Sequence, residues 1–193
     1  MGSNRCAAVV RPREDEDDMR RLVLFRHGKA EPAEHGRKDR DRRLAERGRR
    51  SAPLVGDYLA HHALVPDFVL CSPALRTRET WRLAAERLPA SPRLQEDDRL
   101  YGAEARELLD LLRQTADEVG TLLMVGHNPG LEELADLLIG SGDVALRAAL
   151  QGRFPTGAVA VIGFVAPHWA EVKRGSGRLD RFVTPKLLGE EAL

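Results

Sequence analysis

Two kinds of apolar pattern alternate along the chain. In residues 21–25 (RLVLF), 67–71 (DFVLC), 121–126 (TLLMVG) and 156–165 (TGAVAVIGFV), consecutive positions are apolar, which predicts strands buried on both faces. Between them, apolar residues recur every three or four positions and predict helices. One helix is expected over 44–62, with Leu44, Ala52, Val55 and Leu59 on one face and irregularity at Pro53 and Gly56. A second is expected over 72–88, with Ser72 as N-cap, Pro73 at the first helical position, and Thr77, Trp81, Ala84, Ala85 and Leu88 facing inward. A third covers 104–116. A fourth covers 128–140, opened by Asn128 and Pro129 and closed by Gly140. Residues 169–183 read as a hairpin turning at Gly175-Ser176-Gly177. Alternation of this kind predicts an α/β protein. Its form is three-layer α/β/α, with a mostly parallel central sheet, helices on both faces and an antiparallel C-terminal edge.

Residues 1–19 break the pattern. Pro12 and the acidic run from Glu14 to Asp18 have no apolar period and predict a solvated tail, with Met19 as a second possible start of translation. A single domain is expected over 20–185, with a short C-terminal tail over 186–193. The 193 residues suffice for one core.

Charge narrows the function. Thirty basic and thirty acidic residues cancel, so neither nucleic acid nor a membrane surface is an expected partner. Residues 37–50 hold eight basic and three acidic residues but no aromatics for base stacking; they suit a solvated face or the rim of an anion site. No apolar run is long enough to span a membrane, and the N-terminus lacks the apolar centre of a secretory signal. Cys6 and Cys71 lie far apart and outside any metal-binding spacing, so no disulfide framework and no metal site is expected, and the compartment expected is the cytoplasm.

The chemistry gathers where strands end. The first predicted strand runs into Arg26-His27-Gly28, the second into Ser72-Pro73 with Arg76 just beyond, and the third into His127-Asn128-Pro129. Ligands of open α/β sheets bind outside the carboxyl ends of the strands, so the three junctions are expected on one edge. Two arginines offer planar forks of donors that match a tetrahedral oxyanion, and helix N-termini add free N–H groups. Histidine, with a reference pKa of about 6.5, serves as nucleophile, base or cationic donor. Gly28 permits a close backbone approach or a positive φ.

In their order, RHG (26–28), SPALRTRET (72–80) and VGHNPG (125–130) resemble the motifs of the histidine phosphatase superfamily. The stretches VGHNPGLEELA and RLYGAEARELLDLL look most like its SixA-like phosphohistidine phosphatases. The resemblance covers about residues 20–185 and implies the histidine phosphatase fold. It implies that His27 is the nucleophile, that Arg26 and Arg76 clamp the phosphoryl oxygens, and that His127 donates to them. Arg42 would line the mouth, and Gly28 and Asn128 would border the substrate. No cofactor is implied. The partners it implies are a phosphorylated protein or a small phosphorylated substrate.

Two departures stand out. Where the family often has a D-x-x-R-P-L-T-type run, this chain reads DRDRRLAERG, so Arg43 and Ala45 replace the usual proline and capping threonine. Many superfamily members also use a carboxylic general acid. The candidates here are Glu96, Asp97 and Asp98, with Asp98 preferred.

Overall fold

The computed structural model describes residues 19–190. Seven strands form one sheet: β1 (Met19–Arg26), β2 (Phe68–Cys71), β3 (Arg93–Glu96), β4 (Thr121–Gly126), β5 (Ile139–Gly142), β6 (Val159–Val165) and β7 (Gly177–Val183). Six helices accompany them: α1 (Glu46–His61), α2 (Leu75–Ala85), α3 (Ala105–Arg113), α4 (Gly130–Leu138), α5 (Val144–Leu150) and α6 (Pro185–Glu190). The strand order is β3-β2-β4-β1-β6-β7-β5.

The four strands β3, β2, β4 and β1 run parallel. β6 is antiparallel to both β1 and β7, whereas β5 is parallel to β7. The sheet is thus mostly parallel, as expected, and its antiparallel strand is interior rather than marginal. Side chains on successive strand residues point to opposite faces. On one face Leu22, Leu24, Leu70, Leu122 and Met124 pack against Leu108, Leu112, Leu131, Leu134 and Leu150 of α3, α4 and α5. On the other, Val23, Phe25, Val69, Leu123 and Val125 pack against Val55, Leu59, Trp81 and Leu188 of α1, α2 and α6. This double coverage explains why the central strands are apolar at every position.

Several expectations are corrected. α1 runs unbroken through Pro53 and Gly56. Gly56 marks a helix–helix contact, because a Cβ there would lie 2.1 Å from the Ala84 carbonyl oxygen. Residues 169–183 make no hairpin: Trp169–Glu171 forms a 3₁₀ turn with Trp169 fully buried, and only β7 follows. α4 ends at Leu138, and Gly140 lies inside β5 instead of capping the helix. Of the expected C-terminal tail, the described residues up to Glu190 belong to α6 (Pro185–Glu190), with Leu188 in the core. The expected N-terminal tail lies outside the described residues apart from Met19, which opens β1. Cys71 is a free, buried thiol, and burial pushes its pKa up to about 12. Among the described residues no helix is long and apolar enough to cross a membrane.

Candidate active site

Register brings the three junctions together. Arg26 pairs with Gly126 across β1 and β4, and Cys71 pairs with Val125 across β2 and β4. The next residue on each strand is therefore His27, His127 or Ser72. The His27 amide donates to Gly126 O at 3.2 Å, and the Ser72 amide donates to Val125 O at 3.0 Å. The parallel ladder thus continues into the site, and the rings of His27 and His127 stand with centroids 5.1 Å apart.

The loop after β1 is held by close packing. The Gly28 amide donates to Thr80 Oγ1 at 3.0 Å, and the Ala45 amide to Lys29 O at 2.8 Å. A Cβ on Gly48 would meet Lys29 O at 2.3 Å, so glycine there lets the start of α1 lie against this loop. Ala45 is the N-cap of α1 and has no capping side chain, as the lost threonine predicts. Glu79 Oε2 accepts from the neighbouring Leu44 amide at 2.7 Å. Gly28 keeps a negative φ; its tight contact is with Gly48.

His27 is only 9% exposed. Its Nδ1 lies 2.7 Å from Gly28 O. A carbonyl accepts only, so Nδ1 carries the proton and Nε2 keeps the lone pair. Burial, reinforced by Arg76, Arg26 and Arg42, lowers its pKa to about 4 against the pull of that hydrogen bond. Ring and lone pair are therefore available at neutral pH.

His127 is bound differently. Its Nε2 lies 2.8 Å from Ser72 Oγ, and its Nδ1 lies 3.3 Å from Arg76 Nη2. Arginine is always a donor, so Nδ1 accepts and Nε2–H donates to Ser72. Burial, then His27 and Arg76, lower the His127 pKa to about 3. Both rings are neutral in this state.

Ser72 does not cap α2. The helix begins at Leu75 with Ala74 as N-cap, and the fully buried Ser72 hydroxyl turns to His127 instead. Pro73 likewise precedes the helix. Asn128 is displaced from its expected cap by one residue: Pro129 is the N-cap of α4, and the Asn128–Pro129 bond is cis. Asn128 Nδ2 donates to Glu132 at 2.5 Å and to Phe154 O at 3.1 Å.

The arginines differ in their freedom. Arg26 donates Nη1 to Phe154 O at 2.5 Å, and its buried Nε has no partner. Arg76 is 7% exposed. Its Nη1 donates to Asp39 O at 2.6 Å and its Nη2 to Asp39 Oδ2 at 2.9 Å. Arg42 donates to Glu31 O through Nε at 3.0 Å and Nη2 at 2.7 Å, and to Asp39 Oδ1 through Nη1 at 2.8 Å. Tyr101 O–H also donates to Asp39 Oδ2, at 2.8 Å, with its ring edge-on to His127 at 5.5 Å.

Sequence reasoning named the quartet Arg26, His27, Arg76 and His127 along with Arg42, and these stand together. It missed Ser72 as the partner of His127, and it gave Asp39 and Tyr101 no role. Tyr101 lies within RLYGAEARELLDLL, a stretch that carries the resemblance, and Asp39 opens DRDRRLAERG, the run that departs from the family's D-x-x-R-P-L-T-type pattern; those two stretches were the available signal. The carboxylate candidates are all paired: Glu96 with Arg78 at 2.9 Å, Asp97 with Arg99 at 2.7 Å and exposed Asp98 with Arg40 at 2.6 Å. Arg99 holds the Asp97 carboxyl below its usual range. No group of three or more histidines, cysteines and carboxylates able to hold a metal ion occurs among the described residues.

A buried arginine, a half-buried second one, a neutral histidine with a free lone pair and a second histidine whose ring centroid lies 5.1 Å away make a site able to accept a phosphoryl group. Known proteins carry the same arrangement of chain. A profile of the histidine phosphatase superfamily (branch 1) matches residues 22–108. An uncharacterized protein of Mycobacterium tuberculosis is 40% identical over 84% of this chain and 100% of its own length. The structure of a proposed phosphohistidine phosphatase SixA from Agrobacterium tumefaciens is 33% identical, with a TM-score of 0.73 over 86% of this chain and 98% of that one. A second proposed SixA, from Nakamurella multipartitia, is 28% identical, with a TM-score of 0.76 over 86% of this chain and 96% of that one. With its fold, its strand-end motifs and these relatives in agreement, the chain belongs to the histidine phosphatase superfamily, as a SixA-like phosphatase.

Proposed function

We propose that the chain hydrolyses protein phosphohistidine, without a metal ion, through a phosphorylated His27. The observation that carries this reading is the hydrogen bond from His27 Nδ1–H to Gly28 O at 2.7 Å, which presents Nε2 as the nucleophilic nitrogen. In the first step Nε2 attacks phosphorus. A new P–N bond forms as the substrate's P–N bond breaks, and the electron pair of the broken bond stays on the substrate nitrogen. When the substrate ring carries a proton on its other nitrogen, it leaves as neutral imidazole. In the second step a water oxygen attacks the phosphorus on His27. The proton kept on Nδ1 lets His27 depart as neutral imidazole too, and the water's protons leave with phosphate and solvent. Phosphoryl transfer needs mainly positioning and charge neutralisation. Arg26, Arg76 and Arg42 supply the positive charge, and His127 donates to a phosphoryl oxygen once the bound dianion favours a proton on Nδ1.

The substrate class follows from the leaving group. An alkoxide needs a proton as it departs, and positioned acids contribute about 10²–10⁴ in rate. Glu96, Asp97 and Asp98 are each engaged by an arginine. A protonated phosphohistidine ring needs no such acid. The test compares a phosphohistidine peptide with a phosphoserine peptide, each with and without EDTA. The expected result is turnover insensitive to EDTA and faster on phosphohistidine by on the order of 10²-fold or more. Equal rates would instead favour a small phosphate ester and a working acid among the three carboxylates. Phosphate binding without turnover of any substrate would indicate a non-catalytic phosphate-binding scaffold.

A further inference from the structure

Three side chains converge on Asp39. Its Oδ1 accepts from Arg42 Nη1, and its Oδ2 accepts from both Arg76 Nη2 and Tyr101 O–H. Its backbone oxygen takes Arg76 Nη1. A set of donors that closes on one carboxylate is also a set that closes on one oxyanion.

The hydrogen bonds of Arg76 make the consequence definite. A guanidinium has two planar edges for bidentate recognition, Nη1 with Nη2 and Nε with Nη2. Both use Nη2. Here one Nη2 hydrogen goes to Asp39 and the other to His127 Nδ1. Neither fork of Arg76 is therefore open to a phosphoryl group. Asp39 sits in the 3₁₀ turn Asp39–Asp41, and the residues from 32 to 41 are all exposed, so the turn is free to withdraw without unpacking the core. Asp39 is itself half exposed, whereas Arg76 is buried. The anion moves more readily than the cation.

We propose that Asp39 is a built-in occupant of the arginine clamp, the carboxylate that an incoming phosphoryl group must displace, and that it thereby sets the affinity of the site for phosphate. Its withdrawal frees Arg76 Nη1 and Nη2, Arg42 Nη1 and the Tyr101 hydroxyl together. The same device ejects the product, since Asp39 returns to the arginines as phosphate leaves. This inference rests on the reading of the site as a phosphoryl site.

The test is calorimetric titration of inorganic phosphate into the wild type and the Asp39→Asn and Asp39→Ala variants, with thermal unfolding as a check on folding. Asp39→Asn is nearly isosteric, and the turn it occupies is exposed. Both variants are expected to bind phosphate on the order of tenfold more tightly, the loss of a charge-assisted internal competitor. KM on p-nitrophenyl phosphate should fall with the phosphate Kd, and Asp39→Glu should restore weak binding. A residue that merely props Arg76 in place would give the opposite, weaker phosphate binding and a raised KM. Wild-type binding with no tightening in folded variants overturns the role of Asp39 and leaves the phosphoryl site standing. Absence of phosphate binding in every form overturns both.

Discussion

Two histidines face each other on one sheet edge, and their surroundings differ. His27 ties Nδ1 to a backbone carbonyl one residue away, and that tie leaves Nε2 bare. His127 has both nitrogens engaged by side chains, Ser72 on one and Arg76 on the other. A backbone carbonyl is a permanent acceptor, so the tautomer of His27 is fixed throughout a reaction. Side-chain partners rearrange, so His127 is able to change its protonation when an anion arrives. In the proposed mechanism, the same residue type at equivalent junctions serves as nucleophile or donor according to the partner of its second nitrogen.

Removing each ring in turn should separate the two histidines most strongly. His27→Ala should abolish turnover, a loss of at least on the order of 10⁴, while the protein still binds phosphate. His127→Gln should retain measurable turnover, because it removes a donor and leaves the nucleophile. Steady-state kinetics on p-nitrophenyl phosphate ranks the two, and a His127 variant as dead as the His27 variant would erase the division.

The arginines give the next largest effect. Arg76→Ala should cost on the order of 10³ in rate, since it removes a buried charge from the transferring group and the partner of His127 Nδ1. Arg42→Ala should cost less, because Arg42 is more exposed and spends two of its nitrogens on Glu31 O. Kinetics of the pair, paired with phosphate titrations, decides it. Equal and mild losses would show that Arg76 does not clamp the substrate.

The pH dependence is expected to be smaller and more gradual. His27, lowered to about 4, should stay a competent nucleophile well below the usual histidine range. The acid limb of kcat/KM, corrected for substrate ionisation, should lie near pH 4 rather than near 6.5. Stability should follow the same groups. Both histidines have folded pKa values below the unfolded value, so the unfolded chain binds more protons between the two. Their contribution is intact above about pH 6.5 and falls away as pH drops toward about 4 for His27 and about 3 for His127, by on the order of 3 kcal/mol for His27. Urea midpoints measured across that window, for wild type and His27→Gln, test the sign. A midpoint that rises with acidity would contradict it.

How much of this was legible in the sequence depends on the region. Strands β1, β2 and β4 are covered by helices on both sides, so burial forces an unbroken apolar run and the pattern reveals them. Strand β3 carries Arg93, Leu94, Gln95 and Glu96, all exposed at the sheet edge, and leaves no periodic signal. Strand β5, Ile139–Gly142, is half glycine and escapes for the same reason. Trp169 and Val172 lie three residues apart and are both buried around a 3₁₀ turn, while the Gly175-Ser176-Gly177 turn signal beyond them suggested a hairpin. In the site, the motifs located His27, Arg76 and His127 because strand ends are local features. The meeting of Asp39 with Tyr101, 62 residues away, is set by tertiary packing and has no local trace. Ser72 followed by proline looks like a helix cap. Full burial beside His127 gave its hydroxyl a different partner.

In the proposed mechanism His27, through Nε2, carries the phosphoryl group. The direct measurement is to mix the enzyme with a phosphoryl-labelled substrate, quench rapidly in alkali and locate the label by mass spectrometry. The expected result is an acid-labile, alkali-stable phosphate on His27, absent from His27→Ala and present in His127→Gln. Label on His127, or turnover that proceeds with no phosphorylated enzyme at any time point, would contradict it.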